Sequence, residues 1–540
     1  MEGINGQSAA EGIAIGKILV YKNQQISVDE HKVDDPDKEF ERFITARDKS
    51  VNELVKLKEL ADSKTGKESA EIFTMQKMLL LDPDFEDAVK DEIIGQHSNA
   101  VFAVKKAGKD LADFFSAMED NEYMQQRCAD FLDISDRIAR VLENADCNLS
   151  TIDEPVILMA DDLTPGETIQ MDTTNVLAFV TGGGSVNSHT AILARSIGIT
   201  AVVNTGVEAD TKLNGHMGIV DGDMGRVLIV PEDEILEKYE EKLKKYNDEK
   251  KSLEELRTVS TVTRSGRKID LYANVGNIQD VVRAVDSGAD GIGLFRSEFL
   301  YIGKADFPSE EEQFESYKKA AELMNGKEVI IRTLDIGADK KADYLNLGKE
   351  ENPAMGMRAI RICLKHPEIF KTQLRAIYRA SAFGTISVMF PMITSAHEVE
   401  RALQITDDVK KELSDKSIRY GEVKRGIMIE TPAAAVMSDI LAEKVDFFSI
   451  GTNDLTQYTL AMDRQNPEMS EFLDMHSPAV LRLIKMTVRN AHEKNVKVGI
   501  CGELGADPKL TEFFINNEVD ELSVSAPKIL SLRKHIRELE

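Results

Sequence analysis

Arg425-Gly426-Ile427-Met428-Ile429-Glu430 and Asp446-Phe447-Phe448-Ser449-Ile450-Gly451-Thr452-Asn453-Asp454 are two short β-rich runs that each give way to polar, acidic residues, with a helical stretch between them. The same unit recurs from Thr261 onward. Strand candidates occupy 268–274, 288–295, 328–334, 385–390, 425–430, 446–450, 496–501 and 521–524, each separated from the next by a longer helical segment. Eight such units in about 280 residues predict a (β/α)8 barrel, a fold whose catalytic residues belong at the C-terminal ends of the strands. Reading those ends yields Asn274, Arg296, Arg332, Glu430, Asn453 with Asp454, and Cys501, with Arg464 shortly beyond.

The residue types form a coherent set. A single arginine is ordinarily a surface or structural residue. Three on one face suit a small polyanion, because guanidinium forks match phosphate and carboxylate oxygens bidentately. Glu430 and Asp454 end neighbouring strands and could hold one Mg2+, which takes one or two carboxylates and completes its octahedron with water and substrate oxygens. They could equally pair with the arginines. Cys501 fits either a core thiol or a general acid that keeps its proton near neutral pH.

Ahead of the barrel the pattern changes. The run 12–20 reads as a strand, and strand signals return at 155–159, 176–180, 201–204 and 218–230, with a turn at Asp221-Gly222. Between them Phe40, Phe43, Ile44, Val51, Leu54 and Val55 recur at helical steps, and 35–145 contains no convincing strand. The expected organisation is an α/β domain over 1–34 and 146–230, a helical insertion over 35–145, a linker over 231–260 and the barrel over 261–540. The linker is charge-dense and reads as a connecting or solvated surface helix. Within the α/β domain, Gly182-Gly183-Gly184-Ser185-Val186-Asn187-Ser188-His189 runs into an apolar helix at 191–197. A glycine-rich turn at a helix N-terminus offers free N–H groups and a positive dipole end to a phosphoryl group. His189 is then a candidate nucleophile, although a lone histidine is more often a satisfied structural residue.

Bulk properties set the limits. The 67 basic and 94 acidic side chains leave a formal charge of -27, which provides no overall basic field for nucleic acid. Cys128, Cys147, Cys363 and Cys501 lie far apart and suggest neither a zinc site nor a disulfide framework, as expected for a cytoplasmic protein. No signal peptide or membrane-spanning stretch is expected.

Three segments resemble enzyme I of the phosphoenolpyruvate-dependent sugar phosphotransferase system: Gly293-Leu294-Phe295-Arg296-Ser297-Glu298-Phe299-Leu300, Arg332-Thr333-Leu334-Asp335-Ile336-Gly337, and Ile450 through Tyr458. Gly12-Ile13-Ala14-Ile15-Gly16, Met428-Ile429-Glu430-Thr431-Pro432-Ala433, Cys501-Gly502-Glu503 and the helical insertion are also similar, so the resemblance runs from end to end. It implies that His189 is phosphorylated, that Arg296, Arg332, Asn453, Asp454 and Arg464 bind phosphoenolpyruvate, that Glu430 and Asp454 ligate Mg2+, and that Cys501 protonates the enolpyruvate carbon. It further implies a homodimer formed through the barrel, a hinge within 231–260, and HPr, a small histidine-bearing carrier, as acceptor on the insertion. Ile72, Phe73, Met75, Met78, Leu79, Leu80 and Leu81 would form the apolar centre of that docking surface, rimmed by Glu68, Glu71, Asp82 and Asp84, although any one of the apolar residues taken alone reads better as part of a buried core helix. Related dikinases and synthases carry a large nucleotide-binding module, and the nitrogen-regulatory enzyme carries a sensor domain. Neither is expected here, nor is a silent regulatory module. The chain's main departure from the family is that Ser185, Val186 and Asn187 stand where Gly-Arg-Thr is common; smaller ones are Ala338 for a usual glycine and Met357 for a usual tryptophan or leucine.

Overall fold

Eight strands between Asp270 and Val524 close into a parallel barrel in the computed structural model, which describes residues 2–22, 29–65, 67–116, 122–143, 152, 154–171, 174–186, 188–302, 304, 306–337, 344, 350–463, 466, 469, 472 and 474–540. The chain forms two compact units, Met1–Asp248 and Glu249–Glu540.

In the first unit an eight-stranded sheet is built from β1 (Glu2–Asn5), β2 (Gln7–Ala10), β3 (Ile13–Tyr21), β4 (Val156–Ala160), β5 (Val176–Thr181), β6 (Thr200–Val203), β7 (Met217–Asp221) and β8 (Arg226–Ile229). Its order is β1-β8-β7-β3-β4-β5-β6-β2, with β3 to β6 parallel and the flanking pairs antiparallel. The parallel centre is covered on both faces, so β4 is apolar and buried at every position, Val156 to Ala160. The run 218–230 is two strands, because the Asp221-Gly222 turn interrupts it. Helices Pro36–Thr65, Lys67–Leu80, Pro83–Lys90, Ala100–Ser116 and Glu122–Glu143 lie between β3 and β4 in sequence. They share a core to which Ile169 and Leu193 of the sheet's own helices also contribute.

The segment 72–81 is largely buried, in keeping with the core reading of its all-round apolar pattern. Ile72, Phe73, Leu79 and Leu80 enter the helical core, and of the expected apolar centre only Met78 and Leu81 are exposed, at 68% and 46%. Periodicity reports how apolar a helix is and not what packs on it, and these four residues follow the core reading, leaving less of the segment for a docking surface.

The barrel strands are β9 (Asp270–Val275), β10 (Gly291–Arg296), β11 (Val329–Arg332), β12 (Ile386–Phe390), β13 (Lys424–Ile429), β14 (Phe447–Ile450), β15 (Lys497–Ile500) and β16 (Glu521–Val524), with β16 pairing back onto β9. Each overlaps an expected strand. The interior is packed by Tyr272, Leu294, Ile330, Met389, Met428, Phe447 and Cys501. Glycines make room for the rings: a Cβ on Gly426 would lie 2.4 Å from Phe447, and one on Gly291 would lie 2.6 Å from Tyr272. Below these, Tyr272 Oη and Ser387 Oγ donate to Glu328 at 3.2 and 2.6 Å, and burial pushes the Glu521 carboxyl far above its ordinary range.

Arg533, 1% exposed on the last helix, ties the chain's approach to β9 onto the barrel. Its guanidinium donates to Thr261 Oγ1 at 3.0 Å, the Leu256, Arg257 and Gly288 carbonyls at 2.8–3.0 Å, and Asp290 Oδ2 at 3.3 Å. Arg533→Met is therefore expected to cost on the order of 3 kcal/mol, because it strands several buried acceptors and one carboxylate. A urea melt of the full-length protein measures this, and a loss within experimental error would mean that these bonds add nothing.

Candidate active site

The barrel delivers its polar residues at one mouth. Arg296 and Arg332 are the last residues of β10 and β11 and stand opposite each other in register. Glu430 follows β13 directly, and Thr431 then caps the next helix by accepting from the Ala434 N–H. Asn453 and Asp454 occupy the first turn of helix Thr452–Leu460, and Cys501 follows β15. All six line one cavity of about 750 Å3. Gly451 permits this approach, since a Cβ there would sit 3.0 Å from the Glu430 Cβ and 3.1 Å from its Oε2. Arg464 lies outside the described residues.

The cavity's electrostatics begin with Arg332, 7% exposed, whose Nη2 meets Glu298 Oε1 at 2.5 Å and whose Nη1 meets Asp335 Oδ2 at 3.0 Å. Burial opposes the guanidinium charge, but Asp335, Glu298 and Glu430 outweigh it and hold Arg332 firmly protonated. Arg358 reaches Asp335 from the other side at 3.4 Å. Its neighbour Ala359 adopts φ 52°, an unfavourable backbone state for a residue with a Cβ. Burial also pushes the Cys501 thiol up to about 12, with Glu430 adding to the rise and Ser449 and Arg332 opposing it, so the thiol carries its proton at neutral pH.

Glu430, 1% exposed, accepts from the Met392 N–H at 2.6 Å, and that N–H is aimed by a left-handed backbone at Met392, φ 57°. Burial, then the Asp454 and Asp335 carboxylates, push Glu430 up to about 8. Described residues around the cavity supply three guanidiniums, Arg296, Arg332 and Arg358, against seven carboxylates. That excess suits a divalent cation better than an anion alone. Among the described residues no group of three or more His, Cys, Asp or Glu side chains gathers as a metal cage. Glu430 and Asp454 therefore fit the two-carboxylate, open-sided donor set of Mg2+ and not a closed protein site.

His189 belongs to the first unit. Its backbone opens helix His189–Ile197, where Ser188 caps by accepting from the Ala191 N–H and Thr190 Oγ1 donates to the Leu163 carbonyl at 2.7 Å. The glycine turn before it is pinned between neighbouring strand ends, with Gly182 N–H on Ala160 and Gly183 N–H on Asp161. Arg195 donates to the Val186 carbonyl at 2.9 Å, which brings a guanidinium back to the loop segment that lacks the family's arginine. Asn187 and the His189 side chain lie outside the described atoms.

Sequence reasoning missed Glu298, Asp335 and Arg358. The first two stand two and three residues past Arg296 and Arg332, so a search extended one turn beyond each strand end would have found them. Arg358 follows no strand and carried no comparable signal. Asn274 is the converse case, a strand-end residue that does not line the cavity. It bonds to the Cys501 and Ser523 carbonyls instead.

The family model described as the PEP-binding domain of PEP-utilising enzymes matches residues 250–540. Those described as the N-terminal and mobile domains of the same enzymes match residues 5–127 and 152–225. Proteins from Priestia megaterium and Bacillus subtilis strain 168, each named phosphoenolpyruvate-protein phosphotransferase, are both 41% identical to the chain, over 99% and 100% of it and 94% and 95% of their own lengths. The protein of that name from Staphylococcus carnosus is 40% identical over 99% of the chain and 94% of its own length.

The elevated Glu430 carboxyl has a signed consequence. Between about 4.5 and 8 the folded protein holds a proton that the unfolded chain has released, so this group's contribution to stability falls as pH rises through that window. A divalent cation held by Glu430 would displace the same proton, so its affinity is expected to climb over the same range. Thermal unfolding against pH with and without Mg2+ should show a slope that the cation flattens and that Glu430→Gln abolishes. A wild-type slope retained in that variant would assign the titration to another group.

Proposed function

Since the chain belongs to the PEP-utilising enzymes and, within them, to the phosphoenolpyruvate-protein phosphotransferases, we propose that it moves the phosphoryl group of phosphoenolpyruvate first to its own His189 and then to a histidine of the carrier HPr, releasing pyruvate as the first step of sugar uptake. The observation that carries this reading is the convergence of Arg296, Arg332, Glu430, Asn453, Asp454 and Cys501 on one cavity at the barrel mouth.

Arg296, Arg332 and Asn453, with Arg464, would hold the substrate's phosphate and carboxylate, while Glu298 and Asp335 keep Arg332 charged and fixed. Glu430 and Asp454 would hold Mg2+, which when bound neutralises phosphate charge and offsets the carboxylate excess. Positioning and electrostatics supply most of the catalysis in such transfers. Neutral His189 attacks phosphorus in line and the enolate leaves. Its carbon then takes the proton from Cys501 Sγ: the enolate π pair forms the C–H bond, the carbonyl closes, and the sulfur keeps the S–H electron pair. A thiol raised to about 12 is suited to that task because it is never spent by ionisation at neutral pH.

The domains carry separate roles in this reading. Residues 1–34 and 146–230 present His189, 35–145 dock HPr, 231–260 link, and 261–540 bind phosphoenolpyruvate and dimerise. Exposed Met78 and Leu81, with Glu71 and Asp84 beside them, support a docking face of apolar centre and acidic rim, which would steer a basic carrier. Glu68's side chain lies outside the described atoms. Among the described residues no helix is long and apolar enough to cross a membrane, which accords with work in the cytoplasm.

Incubation with labelled phosphoenolpyruvate and Mg2+ should place acid-labile phosphate on His189 alone, and adding HPr should drain it. His189→Ala is expected to abolish the label, and undiminished labelling of that variant would end the proposal. Cys501→Ser should bind phosphoenolpyruvate nearly as well yet form pyruvate some 10²–10⁴-fold more slowly, because a hydroxyl is a far weaker acid. Rapid-quench measurement of pyruvate separates this from a binding defect, which would make Cys501 structural.

A further inference from the structure

Cys501 stands just beyond the hydrogen-bonded ladder. The pairing of β15 with β16 stops at Ile500 and Leu522, so the Cys501 carbonyl has no strand partner on that side. Its N–H donates to the Ile450 carbonyl at 3.0 Å, and its thiol points to the same oxygen at 3.5 Å. A carbonyl buried beside a residue 4% exposed needs a donor. Asn274, two strands away on β9, supplies it: Nδ2 donates to the Cys501 carbonyl at 3.1 Å and to the Ser523 carbonyl at 3.0 Å. The amide is itself held, because Ser523 Oγ, wholly buried, donates to Asn274 Oδ1 at 2.7 Å. Both amide hydrogens are engaged by carbonyls, which fixes which end of the side chain is oxygen and makes Ser523 the donor. Asn274 does not line the cavity, so it stands behind Cys501 and outside the lining residues.

We propose that Asn274 and Ser523 form a positioning clamp that holds Cys501 Sγ against one face of the enolate and so sets the face from which carbon is protonated. This rests on the reading of Cys501 as the proton donor. Three neighbouring strands, β9, β15 and β16, are tied by the clamp at the level of the thiol, so slackening it lets the sulfur wander without removing any group that binds phosphoenolpyruvate. The chemistry itself is unchanged: the proton passes from sulfur to the enolate carbon, and water restores it to the thiolate. Asparagine is required because its amide offers two donors and an acceptor in one plane. Aspartate at that position would set carboxylate oxygens against two carbonyls and turn the clamp repulsive.

The test is a single turnover of full-length enzyme with stereospecifically deuterated phosphoenolpyruvate and Mg2+ in tritiated water. Phosphohistidine formation, pyruvate formation and the chirality of the pyruvate methyl are followed together. Asn274→Asp and Ser523→Ala are expected to phosphorylate His189 at the wild-type rate, with half-saturating phosphoenolpyruvate changed by less than about twofold. Pyruvate formation should fall by up to about 10²-fold, as for a reacting group displaced by an ångström, and the methyl should lose its handedness. Ser523→Thr, which keeps the hydroxyl, should restore both. If the Asn274 variant does not fold, Ser523→Ala carries the test, since it loosens the amide without deleting it. Wild-type rate and handedness in that variant overturn the clamp, and so does slowing with handedness retained. Cys501→Ala in the same assay separates the two levels: face-selective protonation surviving there sinks the donor assignment, whereas its loss there alone sinks only the clamp.

Discussion

A guanidinium kept charged almost out of water is the constraint from which the rest of the cavity follows. Removing Arg332 from solvent would cost several kcal/mol were it unpaired, and Glu298 and Asp335 offset that cost at 2.5 and 3.0 Å. Those two carboxylates are then fixed charges in a low-dielectric mouth, and one of them, Asp335, helps to drive the neighbouring Glu430 toward its neutral form. The mouth that results is too negative to welcome a bare polyanion. On the proposed reading a divalent cation would resolve the conflict, converting the carboxylate excess into ligands and leaving the arginines to meet the substrate. Arginine, acid and cation would on that reading act as one electrostatic unit.

Backbone geometry serves the same end. Met392 accepts a left-handed conformation to aim its N–H at Glu430, and Ala359 turns sharply just after Arg358. Conformations of this kind cost about 1–3 kcal/mol each and persist where the surroundings over-determine them. One sits beside the Glu430 carboxyl and the other beside the Arg358 guanidinium, both of which line the cavity. Gly451 makes the complementary arrangement, letting one strand-to-helix turn pass close above the carboxylate.

Much of this was legible in the residues. The eight barrel strands could be read because each is a short β-rich run between helices, and their ends pointed to Arg296, Arg332, Glu430, Asn453, Asp454 and Cys501 as a group. Legibility failed where side chains act one turn later, as Glu298 and Asp335 do, or from no strand at all, as with Arg358. It failed differently at 72–81, where an all-round apolar helix looks the same whether its faces meet a core or a partner. The strands Glu2–Asn5 and Gln7–Ala10 went unread because four residues carry too little alternation. Asn274 was found by position but given no role, because the side to which its amide turns leaves no mark in the residue pattern.

The barrel's lower interior governs traffic through the fold. Tyr272 and Phe447 fill the space that Gly291 and Gly426 leave open, and the layer beneath them is occupied by Glu328 and Glu521. With its floor so plugged, the barrel is a blind vessel whose mouth must serve for both arrival and departure. Carbon and hydrogen therefore share one doorway. If Cys501 donates the proton as proposed, its thiolate would be recharged from the side on which pyruvate sits, so that clearing the product and resetting the acid would be successive events, the slower of them setting how soon the vessel could be filled again.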